Sequence, residues 1–218
     1  MHNGCILCGG TGSGKSITGL EYYFIKNSGK LEPMTKMKNP KDLYIITTAK
    51  KRDSGEWIGD MSWFYLTPDD ETKIYDHKVV IDSWNNIKKY ANVQNSFFIF
   101  DEQRVVGYGA WTKAFLKIAK SNEWILLSAT PGDNYMDYMP VFIANGFYKN
   151  KSEFTAEHCV YSRFSKFPQI ERFIGTERLN RLRRRVLVDM PYQNPAVQNH
   201  EDVWCSFDKE AYKDLMKN

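Results

Sequence analysis

Gly9-Gly10-Thr11-Gly12-Ser13-Gly14-Lys15-Ser16 fits the pattern G-x-x-x-x-G-K-[ST] in full. It follows the apolar run Cys5 to Cys8 and opens a segment in which Ile17, Leu20, Phe24 and Ile25 trace a helical stripe, ending near Asn27 to Gly29. Strand, glycine-rich turn and helix in that order suit phosphate binding. The glycines let backbone N–H groups curl around phosphate oxygens, and the helix N-terminus adds partial positive charge. On this reading Gly10, Thr11, Gly12, Ser13, Gly14, Lys15 and Ser16 hold ATP. Lys15 reaches the β- and γ-phosphates, and the Ser16 hydroxyl ligates magnesium.

Working outward, short strand-like runs recur at Leu43 to Thr47, Val79 to Asp82, Phe97 to Phe100 and Trp124 to Ser128, separated by turn residues and longer helical segments such as Trp111 to Lys120, with Trp111, Phe115 and Ile118 on one side and lysines on the other. Runs that are nearly all apolar suit strands covered on both faces, so the alternation predicts an α/β fold with a mainly parallel sheet flanked by helices. The run Phe97 to Phe100 ends in Asp101-Glu102, two adjacent carboxylates at the C-terminal end of a central strand. Asp101 is expected to steady the magnesium, and Glu102 to act as the general base that orients the attacking water.

At 218 residues the chain accommodates one full domain and a sizeable extension. With 42% apolar and 15% aromatic residues it has ample material for a core, which excludes a disordered chain. The net charge of +4 permits a polyanionic partner without demanding one. The first residues lack the pattern of a secretory signal and no run is long enough to span a bilayer, so a cytoplasmic protein without membrane contact is expected. Cys5 and Cys8 have the spacing of a zinc or redox pair, but Cys159 and Cys205 stand alone, and Cys-Ile-Leu-Cys reads better as a buried strand. After about Asn150 arginine and lysine become dense. The segment Glu171 to Arg185 reads as a helix with Leu179 and Leu182 facing inward, Val186 to Trp204 as extended or loop-like, and Lys209 to Lys217 as a closing helix. The predicted organisation is therefore a nucleotide-binding lobe over residues 1–148 and a helical, arginine-rich extension over residues 149–218.

The phosphate loop, Asp101-Glu102-Gln103-Arg104 and Ser128-Ala129-Thr130, in that order, resemble the first RecA-like lobe of superfamily 2 helicases and translocases. The chromatin-remodeller-like branch, and within it the small DNA helicases of bacteriophages, is the closer resemblance. The likeness implies that Ser128, Thr130 and Gln103 couple nucleotide state to movement between lobes. It also implies that Thr47, Thr48, Lys50, Lys51 and Arg52, with Ser83 and Trp84, grip the backbone of nucleic acid, DNA being expected. Hydroxyls and three consecutive cations at a strand end can bind phosphates without reading bases. Trp84 also suits a core position.

Members of that family carry an adenine-reading glutamine ahead of the phosphate loop, whereas the first Gln here is Gln94. They also carry a second lobe whose Gln-x-x-Gly-Arg motif supplies an arginine finger typically worth about 10³–10⁵ in rate. No such motif follows Thr130. The resemblance thus implies a lobe that hydrolyses ATP weakly alone and needs a second lobe or partner polypeptide. A non-motor nucleotide- or nucleic-acid-binding module acting through a protein partner is the alternative. A small-molecule kinase is disfavoured by Glu102 and by Ser128-Ala129-Thr130.

Overall fold

The computed structural model describes residues 1–68, 75–102, 108–164 and 167–191. In chain order the elements are β1 (Ile6–Cys8), α1 (Lys15–Lys26), β2 (Lys30–Leu31), β3 (Met34–Thr35), β4 (Leu43–Thr47), α2 (Ala49–Asp53), α3 (Glu56–Ser62) and β5 (Val79–Ser83). A 3-10 turn (Trp84–Tyr90) follows, then β6 (Phe97–Asp101), α4 (Ala110–Ser121), β7 (Glu123–Ser128), α5 (Tyr135–Ala144), α6 (Lys151–His158), β8 (Cys159–Tyr161), β9 (Ile170–Phe173), α7 (Thr176–Val186) and β10 (Leu187–Asp189).

Six strands form one sheet in the order β10-β1-β7-β6-β4-β5, and every pairing within it is parallel. The apolar runs explain why: β4 and β6 are buried along their whole length, which requires cover on both faces. Side chains alternate between two cores. Tyr44, Ile46, Phe98, Phe100 and Leu126 face one, beneath the 3-10 turn, α4, α5 and α7. Ile45, Phe97, Ile99, Ile125 and Leu127 face the other, with Leu20 and Phe24 of α1 and Trp57 and Met61 of α3. Because α1 leaves β1 on one face and α5 leaves β7 on the other, a crevice opens above the carboxyl ends of those neighbouring strands.

Two helical stripes differ from the sequence expectation. In α1 the buried residues are Gly19, Leu20, Tyr23 and Phe24, whereas Ile17 and Ile25 are exposed. The tyrosine is inside because its hydroxyl donates to the Lys41 carbonyl at 2.5 Å, which leaves the ring free to pack on Phe97. In α4, Phe115 and Ile118 are buried, whereas Trp111 lies at the rim against Trp84.

The extension also differs in kind. The expected helix over Glu171 to Arg185 is divided. Residues Ile170–Phe173 pair antiparallel with β8, and Phe173 packs edge-on against Tyr135, so α7 starts only at Thr176. Leu179 and Val186 are buried in the first core and Leu182 packs against it. The strand β10 then joins the sheet beside β1, so the basic segment completes the edge of the sheet. Lys209 to Lys217, Cys205 and Gln103 lie outside the described residues.

Candidate nucleotide site

Three strand ends meet at the crevice. After β1 the loop Gly9 to Gly14 is held against β7 by the Gly9 N–H, which donates to the Ser128 carbonyl at 3.3 Å. Gly12 and Gly14 take φ of 77° and 81°, a left-handed conformation that side chains disfavour. A Cβ built at Gly10, Gly12 or Gly14 would meet nothing within 4 Å, so these positions face open space, and Gly12 and Gly14 line the cleft. The helix α1 begins at Lys15 with no side-chain cap and no acidic residue in its first turn. Its first N–H groups and its dipole are left for an anion. The Lys15 ammonium donates to the Gly9 and Gly10 carbonyls, at 2.7 Å each. Burial lowers its pKa, with the nearby charge of Lys51 acting in the same sense against Asp101 and Glu102.

At the end of β6, Asp101 is 1% exposed. Its Oδ2 accepts from the Thr47 hydroxyl and from the Lys51 ammonium, both at 2.9 Å. Its Oδ1 is buried with no hydrogen-bond partner among the described residues. A buried carboxylate oxygen without a donor is costly, and a cation or its water shell satisfies it. The Trp84 indole N–H donates to the Asp101 carbonyl at 2.9 Å and so fixes the strand end. Burial pushes the Asp101 carboxyl up, against the opposing pull of Lys51 and Thr47. Glu102 follows at φ 55°, a left-handed value that turns its half-exposed carboxylate over the cleft.

Lys51 is the residue whose setting sequence reasoning missed. Thr48 caps α2 by accepting from the Lys51 N–H, and the Lys51 side chain turns inward, 15% exposed. Its ammonium lies 2.9 Å from Asp101, 3.4 Å from the Ser16 hydroxyl and 3.5 Å from Glu102 Oε1, above the Trp57 ring. Burial alone would lower its pKa, but the hydrogen bonds and charges of Asp101 and Glu102 outweigh burial and raise it. A cation from the chain therefore sits between the two groups expected to hold magnesium.

The residues expected to grip nucleic acid lie partly inside the fold. Thr47 is buried with its hydroxyl committed to Asp101, and Ser83 and Trp84 are buried too. Trp84 packs on Phe100 as a core residue. With Lys51 turned inward, four of the seven residues face the fold instead of an outside strand. Arg52 pairs with Asp53 and Asp82. Asp82 also accepts from Ser83 N–H, Asn86 and Tyr90, and although burial acts to raise its pKa, these bonds hold it below the usual carboxylate range. Lys50 is exposed.

At the end of β7 the Ser128 hydroxyl accepts from the Thr130 N–H at 3.1 Å. Both residues line a cleft of about 820 Å³ that also takes in Thr11 to Ser16, Lys51 and Glu102. Glu56 and Asp60 of α3 complete the wall, and burial raises the Asp60 carboxyl. No local signal marked these two carboxylates, because only the tertiary placement of α3 brings them to the loop.

Compared with solved structures, the chain is similar to the Sulfolobus solfataricus SWI2/SNF2 ATPase core in complex with dsDNA, with a TM-score of 0.60 at 15% identity over 86% of this chain and 40% of that one. The fold is that of a RecA-like lobe. The Pyrococcus furiosus Hef helicase domain matches with a TM-score of 0.43 at 17% identity over 73% of this chain and 38% of that one. No protein-family model matches the sequence, and no curated protein matches it significantly. The RecA-like lobe thus spans less than half the length of either structural neighbour. Among its described residues no helix is long and apolar enough to cross a membrane.

Proposed function

We propose that this chain is the ATP-binding first lobe of a superfamily 2 DNA helicase or translocase of the chromatin-remodeller-like, phage-type branch, coupling ATP-magnesium to nucleic-acid binding and working with a second lobe or partner polypeptide. The observation that carries the reading is the buried Oδ1 of Asp101, without a partner among the described residues, whose carboxylate shares the Lys51 ammonium with Ser16 at an uncapped helix N-terminus. Ser16 and Asp101 would hold the metal, which when bound supplies charge to balance the phosphates. Lys15, released from the loop carbonyls, would hold the β- and γ-phosphates. Glu102 would accept a proton from water at one carboxylate oxygen, and Ser128 and Thr130, hydrogen-bonded to each other, would report the state of the site to a neighbouring lobe.

The test is binding of magnesium with a non-hydrolysable ATP analogue, measured by calorimetry. Lys15→Ala is expected to weaken it by about tenfold or more, the loss of one charge-assisted contact, whereas Glu102→Gln should retain it. Equal affinity in wild type and Lys15→Ala would remove the phosphate-site assignment.

A further inference from the structure

Of the three consecutive cations expected to meet nucleic acid, Lys51 turns inward and Arg52 is ion-paired, but a different set of cations gathers elsewhere on the surface. Between the 3-10 turn and α4 lies a second cleft of about 430 Å³, lined by Lys88, Lys113 and Lys117, with Tyr108 and small residues such as Ala91 and Ala114 forming its apolar part. Tyr108 is 38% exposed, and the ammonium groups of Lys113 and Lys151 each lie 5.9 Å from the centre of its ring. Among the described residues no carboxylate lines the cleft. Among the described residues none of Lys88, Lys113, Lys117 and Lys151 has an ion-pair partner, in contrast to Lys51 and Arg52. The N-terminus of α4 opens at the same place, with no side-chain cap and no acidic residue in its first turn.

We propose that this cleft is a binding site for a single nucleic-acid strand, with the lysines neutralising consecutive phosphates and Tyr108 stacking a base. Four cations without a matching carboxylate select a polyanion. An aromatic ring with alanine-sized neighbours adds what a phosphate chain alone does not use, a flat apolar surface the width of a base. Such a contact is indifferent to sequence, because every base presents a face. The choice of nucleic acid as the polyanion rests on the proposed function; the location rests on the cleft itself.

The experiment is fluorescence anisotropy of a labelled dT20 strand with the whole chain over a range of salt, against a 20-base-pair duplex and inorganic polyphosphate as competitors. Lys113→Gln with Lys117→Gln should weaken dT20 binding and reduce the salt slope by about 1.4, at roughly 0.7 per phosphate contact on a single strand. Tyr108→Ala should weaken it by roughly five- to a hundredfold, the loss of one stacked base. These side chains are exposed and none of them lines the nucleotide cleft, so binding of the magnesium-bound ATP analogue should be unchanged in both variants and reports that they fold. Wild-type affinity and slope in every variant would overturn the site while leaving the proposed function standing. A reduced slope with Tyr108→Ala neutral, or polyphosphate competing as well as dT20, would overturn the strand assignment in favour of a general anion surface. Failure of the wild type to bind either nucleic acid would remove the nucleic-acid reading itself.

Discussion

Lys51→Met should bind the magnesium-bound ATP analogue roughly ten- to a hundredfold more tightly than wild type while being less stable without metal. The Lys51 ammonium is the counter-charge of Asp101 and Glu102 at 2.9 and 3.5 Å and donates to the Ser16 hydroxyl at 3.4 Å. A divalent cation held by Ser16 and Asp101, as proposed, would claim the same space, and because two positive groups a few ångströms apart repel strongly, Lys51 would have to withdraw. The contact it gives up is a charge-assisted hydrogen bond in a partly buried site, with a net value of about 1.5–3 kcal/mol. Methionine keeps the length and the packing on Trp57 but not the charge. The metal-free lobe loses that contact and the metal-bound lobe does not, so the same quantity appears as lost stability in EDTA and as gained affinity. Calorimetry on both forms, with denaturant melts with and without magnesium, measures the two sides. Weaker binding by Lys51→Met would identify Lys51 as a phosphate ligand instead of a placeholder for the metal.

That lysine also marks the boundary of what the sequence discloses. The strands Leu43–Thr47 and Phe97–Asp101 were legible almost to the residue, because a strand covered on both faces is an unbroken apolar run bounded by turn chemistry. The phosphate-loop motif, Asp101-Glu102 and Ser128-Ala129-Thr130 were legible as three strand ends, and the parallel sheet gathers those ends around one cleft. Lys51 was not, because a lysine between Lys50 and Arg52 reads as a solvated face, and only the pairing of β4 with β6 brings it within reach of Asp101. Ile17 and Ile25 misled for the opposite reason: apolar residues are common on surfaces, and Tyr23 took the inner position by finding a partner for its hydroxyl. The edge strand Leu187–Asp189 is too short and too close to a basic helix to announce itself, and its place beside β1 is a tertiary fact. Asp60 and Glu56 reach the cleft the same way.

Trp84→Ala should lower the free energy of unfolding by about 3–5 kcal/mol, the usual range for truncating a buried aromatic. The residue is 3% exposed and packs against Phe100 and Trp111 with ring centres at 5.5 and 6.2 Å. Its indole N–H is also a donor to the Asp101 carbonyl, so the truncation leaves both a cavity and an unpaired acceptor at the end of β6. Trp84→Phe separates the two effects. It keeps most of the ring and loses only the donor, and is expected to cost about 1–3 kcal/mol. Because that donor fixes the residue proposed to hold the metal, both variants should also weaken binding of the magnesium-bound ATP analogue, whereas Trp63→Ala, at a position 72% exposed, should change neither quantity. Denaturant melts and calorimetry on the three variants distinguish the two readings the sequence allows for Trp84. A nucleic-acid contact predicts near-native stability with weakened dT20 binding. A core residue supporting Asp101 predicts lost stability and lost nucleotide affinity together, and the buried ring with its hydrogen bond to the strand end commits the fold to that second result.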